Sequence, residues 1–237
     1  MKNFFISNLK IILFSTILSF SFSNFAIAQF DFEENNTDNK QFTQSIFSYG
    51  IYADAKASLN AGAVIEGRKH FVALSGVPDF GLMCTYLLDE KYHLAINGEI
   101  GYNDYTYGIK IYSKGLDFEF THSYLTFATT FSFTYFNMGF GFGIPLSSKY
   151  EYNLSTKDLN YLAEFKMGGE IPIYEDETGT LNINIKIGYM LTGAYLDYGK
   201  SDPLAANYPA IPPDVITNKY NPHPVSLALG LSWLFNY

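Results

Sequence analysis

From Val225 to Tyr237 every second residue is large and apolar: Val225, Leu227, Leu229, Leu231, Trp233, Phe235 and Tyr237. Between them stand Ser226, Ala228, Gly230, Ser232, Leu234 and Asn236, mostly small or polar. A strict period of two marks a β-strand, because successive side chains leave a strand on opposite faces. The run is long for a soluble strand and suits a tilted strand crossing a bilayer, which takes about 9–11 residues. The apolar face of such a strand must be buried, either in a protein core or in hydrocarbon.

The rest of the chain repeats this pattern after an export-type start. Lys2 and Lys10, the apolar run Ile11 to Phe22, and Ala26-Ile27-Ala28 before Gln29 read as a signal peptide over residues 1–28, cleaved near Ala28. Residues 29–46 are polar and acidic (Asp31, Glu33, Glu34, Asp38) and predict a flexible periplasmic lead-in. No second apolar run of helical length follows, so helical membrane spans are not expected after the signal. The formal charge is −8, and the signal holds none of the acidic residues, so the exported part is more acidic still. An acidic exported chain is a poor partner for nucleic acid. The single Cys84 allows no internal disulfide and reads as a small apolar residue on a lipid-facing position.

Over residues 47–237 the alternation predicts eight strands. They cover Phe47 to Leu59, Phe71 (or later) to Leu88, a hairpin from Tyr92 to Tyr135, Met138 to Leu146, Tyr161 to Tyr174, Thr180 to Tyr195, and the last run. Pro78, within the second strand, is expected near the membrane surface, where a missing ladder bond is tolerated. A two-residue reversal of the hairpin at Lys114-Gly115 would set Tyr102 opposite Phe127 and Gly98 opposite Phe131. Short and long connections alternate, as they do between periplasmic turns and external loops. The expected fold is all-β, an eight-stranded antiparallel up-and-down transmembrane β-barrel, with ten strands if residues 71–74 or the last loop pair separately.

Alternation alone leaves open a soluble barrel with its apolar face inward around a ligand. The charges decide against it. Asp54, Lys56, Glu99, Glu164, Lys166, Glu170 and Lys186 fall in mid-strand on the faces that also carry Gly, Ala, Ser and Thr. Tyrosines gather near strand ends at Tyr86, Tyr92, Tyr102, Tyr161, Tyr174 and Tyr195, as interface girdles require. The seven charged residues are therefore expected inside, as a salt-bridge network sealing a narrow barrel or as a gated ion path.

The hairpin carries a second signal. Apolar residues are even-numbered up to Tyr102, then odd-numbered at Tyr105, Tyr107, Ile109 and Ile111. The returning arm switches at a matching height, between Phe118 and Phe120 on one side and Leu125 and Phe127 on the other. Strands that continue unbroken from lipid into water would switch in this way. The six residues Tyr105, Tyr107, Ile109, Ile111, Phe118 and Phe120 then form either an apolar vestibule or a packed mini-core. Leu204, Tyr208, Ile211, Val215 and Ile216 of the last long loop would cover it.

No catalytic, metal or cofactor motif is legible. His70, His93, His122 and His223 lack metal-ligand spacing, and His122-Ser123 has no identifiable orienting acid. The glycines from Met138 to Gly143 read as thin barrel wall.

Ser123-Tyr124-Leu125-Thr126-Phe127, the later run Phe136-Asn137-Met138-Gly139-Phe140-Gly141-Phe142-Gly143, and the aromatic ending Trp233, Phe235, Tyr237 are similar to segments of the small outer-membrane β-barrel superfamily. That superfamily includes OmpA-like transmembrane domains and OmpX/Ail-type, opacity-type and PorT-like barrels. The resemblance implies a Gram-negative-type outer membrane and an ending that serves as assembly signal. The partners it implies are outer-membrane lipid, the barrel-assembly machinery during insertion and an external surface ligand. It implies a non-enzymatic protein whose loops and protruding hairpin serve surface interaction or envelope stability. A narrow channel for ions or small solutes, and a transport or secretion accessory with periplasmic partners, are the alternatives.

Overall fold

The computed structural model describes residues 46–89, 93–112, 114–150, 152–197 and 220–235. The signal peptide, nearly all of the lead-in, the five loop residues expected to cover the vestibule, and Tyr237 lie outside the described residues. Among the described residues ten strands are formed: β1 (Phe47–Asn60), β2 (Arg68–Leu74), β3 (Asp79–Asp89), β4 (Leu94–Ile111), β5 (Leu116–Phe133), β6 (Phe136–Tyr150), β7 (Tyr152–Leu154), β8 (Leu162–Glu175), β9 (Gly179–Met190) and β10 (Pro224–Phe235). A single 3₁₀ turn, Thr156–Asp158, precedes β8.

The strands pair antiparallel in the order β10-β9-β8-β6-β5-β4, then β2 and β3, then β1. The ring closes where β1 meets β10, from Tyr49 opposite Phe235 to Asn60 opposite Pro224. β2 and β3 share one place in the wall and β7 is a short appendage of β6, so the ring has eight positions. The fold is an all-β, up-and-down antiparallel barrel, and closure leaves it no free edge through the wall.

Three local differences from the sequence reading have physical causes. The second wall position is two strands, because residues 75–78 leave the ladder around Pro78, which has no N–H to donate. Side chains patch the gap: the Asp104 N–H donates to Asp79 Oδ1 at 2.9 Å, and the Ser75 hydroxyl donates to the Asp104 carbonyl at 3.3 Å. The hairpin turn is four residues long rather than two, with Gly115 in the left-handed region at φ +62°. Tyr102 therefore faces Leu125 and Gly98 faces Thr129. A slip of two leaves each side chain on its expected face; a slip of one would have inverted the wall. Finally, β6 runs on to Tyr150 through a bulge near Leu146, whereas β9 stops at Met190 and Tyr195 makes only an isolated bridge to Leu159.

The two faces of the wall are opposite in kind. Outward-facing Phe142, Leu82 and Leu229 are 62%, 60% and 54% exposed, while inward-facing Asp54 and Glu164 are 2% and 3% exposed. Ile51, Ile100, Phe127, Phe140, Ile185 and Leu231 continue the apolar exterior. An apolar surface that encircles the molecule is incompatible with water and fits hydrocarbon.

Candidate functional site

Five strands deliver charge to one level of the lumen. Lys186 of β9 places Nζ 2.8 Å from Glu99 Oε1 and 3.1 Å from Asp54 Oδ2. Lys166 of β8 reaches the other oxygen of Glu99 at 2.9 Å, so one β4 carboxylate ties two strands across the barrel. Lys56 of β1 meets Asp79 Oδ2 of β3 at 2.5 Å and donates to Asn103 Oδ1 at 3.3 Å. Two ammonium groups also lie over rings, Lys56 3.9 Å above Tyr105 and Lys186 4.3 Å above Tyr52. Asn184 donates to Asp54 Oδ1 at 3.3 Å. Each remaining lone pair that finds a donor lowers the cost of holding these ions away from water.

Of the seven charged residues read from the sequence, Asp54, Lys56, Glu99, Lys166 and Lys186 take part in ion pairs. Glu164 is buried and Glu170 half-buried, and among the described residues neither has a lysine nitrogen within 4.0 Å. Asp79 was missing from the sequence reading. Its signal was available: Phe80 and Leu82 face outward, so Asp79 must face inward. Glycine makes the room these groups occupy. A Cβ on Gly230 would stand 2.1 Å from Asp54 Oδ1 and 2.2 Å from the Ala53 carbonyl oxygen. The cavity left at the centre, bounded by Tyr52, Tyr105, Glu164 and the three lysines, measures about 10 Å³, space for one water molecule.

Beyond the lipid-facing belt β4 and β5 pair without a shift from Leu94 opposite Phe133 to Ile111 opposite Leu116. The switch in apolar numbering is therefore not a bulge; the inward face stays inward while the surroundings change. Tyr107, Ile109, Ile111, Phe118 and Phe120 pack with Tyr150 into one buried cluster. The rings of Tyr107 and Phe120 stack at 5.4 Å, and those of Phe120 and Tyr150 at 4.7 Å. Tyr105 belongs to a second cluster with Tyr124, Ile65, Leu159, Leu162, Met190 and Tyr195. Together the two clusters fill a dome above the barrel.

His122 joins the clusters. Its Nδ1 lies 2.8 Å from Ser148 Oγ, its Nε2 3.2 Å from the Tyr107 hydroxyl, and its ring meets Tyr195 edge-on at 5.4 Å. Burial alone pushes its pKa down to about 3, so the ring is neutral. The Ser–His contact lacks the carboxylate that would orient a catalytic histidine, and both side chains are buried. His70 is held by Asn60 and His223 by the Met190 carbonyl. At the other end of the barrel, Phe235 packs 5.5 Å from Tyr49 and Trp233 6.5 Å from Tyr174.

A closed antiparallel ring, hydrocarbon-compatible outside and ionised within, is a transmembrane β-barrel. No family model and no curated protein matches the chain. Among solved structures it is similar to Ail, the attachment invasion locus protein of Yersinia pestis, crystallised with the heparin analogue sucrose octasulfate. That match has 11% identity over 80% of this chain and 97% of that one, with a TM-score of 0.33. It is also similar to the outer membrane protein OprG of Pseudomonas aeruginosa (12% identity, 80% and 97% covered, TM-score 0.31). The outer membrane protein AlkL, solved in DMPC bilayers, gives 13% identity, 86% and 96% covered, and a TM-score of 0.36. The class rests on the closed ladder and its two faces, not on these likenesses.

Proposed function

We propose that the chain is a non-enzymatic integral outer-membrane protein with a sealed lumen, acting through the dome it raises outside the cell. The observation that carries this reading is the contrast along β4 and β5. Within the wall Glu99 is locked between Lys166 and Lys186, while beyond it the same strands build a packed platform. Export with removal of residues 1–28, assembly through the aromatic ending, and a dome that meets an external ligand or neighbouring envelope components belong to the same proposal. At the opposite end the β5–β6 connection is only Thr134 and Tyr135, which favours the dome as the contact surface.

Planar-bilayer recording and affinity capture test the proposal together. Refolded protein is expected to give no steady conductance, and intact protein in native-envelope extracts is expected to retain a partner that a barrel lacking the hairpin tip does not. A steady open state would replace this reading with a narrow channel. Capture that persists without the tip would move the function to the periplasmic side.

A further inference from the structure

The outer face of the dome carries a charge pattern that its packed interior does not use. There β2, β4 and β5 lie side by side, and alternation turns Lys69, Lys110 and Asp117 outward on one rung. Phe71, Gly108 and Glu119 form the next outward rung toward the membrane. Lys69 and Lys110 stand directly opposite each other, and like charges so placed destabilise a sheet until something lies between them. Asp117 meets Lys110 from the far side at 3.1 Å, whereas among the described residues Lys69 and Glu119, both exposed, form no ion pair. One rung below, the Phe71 ring lies against Gly108, where a Cβ would stand 2.2 Å from two ring carbons. Only glycine on β4 lets the ring lie down there, on the rung of Glu119. Toward the membrane, Val72, Leu74 and Val77 are 60%, 76% and 43% exposed. Phe71 stands roughly 10 Å beyond Leu74 along a tilted strand at ~3.3 Å per residue, a step that carries it from hydrocarbon into the headgroup layer.

We infer that this face is a lipid site for a phosphoethanolamine headgroup. Lys69 and Lys110 hold the phosphate between them, Glu119 and the face of Phe71 receive the ammonium, and an acyl chain descends over Val72 and Leu74. A phosphate between two ammonium groups makes charge-assisted hydrogen bonds to both and removes their repulsion. A cation over an aromatic face is drawn by the ring quadrupole, and a primary ammonium can also donate to the carboxylate. A headgroup that is only anionic leaves Glu119 unanswered. A quaternary ammonium reaches the ring but has no N–H to give. The inference deepens the reading of the dome as the contact surface and rests on it for the leaflet that is met.

Native mass spectrometry of the purified protein in detergent micelles tests it, with phosphatidylethanolamine, phosphatidylcholine or phosphatidylglycerol added in turn. Phosphatidylethanolamine should be retained about tenfold more tightly than either of the others. Glu119→Gln should erase the margin over phosphatidylcholine. Lys69→Gln with Lys110→Gln should weaken phosphatidylethanolamine and phosphatidylglycerol alike, and Tyr112→Ser, at the tip, should change nothing. If a variant fails to refold, hydrogen exchange of the natural protein reads the same site. Amides of β2 should then gain protection with phosphatidylethanolamine and none with phosphatidylcholine. Equal retention of the three lipids, tighter retention of either competitor, or a preference that survives all three substitutions overturns the inference. Micelles have no sides, so that failure leaves the sealed lumen and the outward dome standing. A reversed orientation in cells would move the site to the other leaflet and leave these readings unchanged.

Discussion

Lys186 and Lys110 each hold a carboxylate oxygen at 3.1 Å, yet the two pairs differ in worth. Lys186 and Asp54 are 9% and 3% exposed; Lys110 and Asp117, at the hairpin tip, are 42% and 53% exposed. Water screens the second pair, so Lys110→Met should change stability by less than about 1 kcal/mol. Lys186→Met strands Asp54 and one oxygen of Glu99 in the lumen and should cost about 3–5 kcal/mol. Urea unfolding of both variants in lipid vesicles checks the contrast, and equal effects would refute it. At this scale the sequence was informative wherever alternation was unbroken, as at Asp54, Lys56 and Lys186. Asp79 escaped because Pro78 beside it suggested a strand at the membrane surface, where inward and outward lose meaning. The pairing of Glu99 with two lysines was not legible, since it depends on side chains from three strands far apart in the chain.

The hairpin β4–β5 is the element on which the dome depends, and His122 is its acid-sensitive joint. Its folded pKa of about 3 lies below the ordinary value near 6.5, so the fold favours the neutral ring. The stabilisation is fully present above about pH 6.5 and is lost as pH falls from there toward about 3. His70, above the belt on β2, is also pushed down by burial, and acts in the same direction. The facing groups Tyr107, Ser148 and Tyr195 offer the imidazolium no carboxylate. Hydrogen exchange corrected for intrinsic rates should therefore accelerate in the outer halves of β4 and β5 at pH 4.5 relative to pH 7. His122→Gln should remove the larger part of that difference. The parity switch announced this element in the sequence. The turn length did not: Lys114-Gly115 fits a two-residue reversal as well as the end of a four-residue one. Only closure of the ladder separates the two. Separate pairing of residues 71–74 was open in the sequence, but the change of partners behind it was not, from β1 and β4 below the gap to mainly β4 above it.

For the whole molecule, topology is the property at stake. Tyr112, at the hairpin tip, is 58% exposed, whereas Ile109, three residues before it, is 3% exposed. In intact cells a membrane-impermeant maleimide should label Tyr112→Cys and spare Ile109→Cys. It should reach Thr178→Cys, in the turn between β8 and β9, only after the outer membrane is permeabilised. Labelling of Thr178→Cys from outside would reverse the orientation. The count of wall positions and the sense of the two faces could be read from the sequence because both follow from a period of two and from the cost of misplacing charge. The register in which β1 closes on β10, Tyr49 opposite Phe235, could not, since it joins the two ends of the barrel segment.

The unshifted ladder of β4 and β5 also has a mechanical meaning. Each strand is 18 residues long, roughly 60 Å at a rise of ~3.3 Å per residue, with no shift in their pairing between tip and lumen. A pull on the tip is thus delivered along a stiff mast to the rung that carries Glu99. On the proposed orientation, a partner that grips the tip would also tug on the ion pairs that tie Glu99 to Lys166 and Lys186.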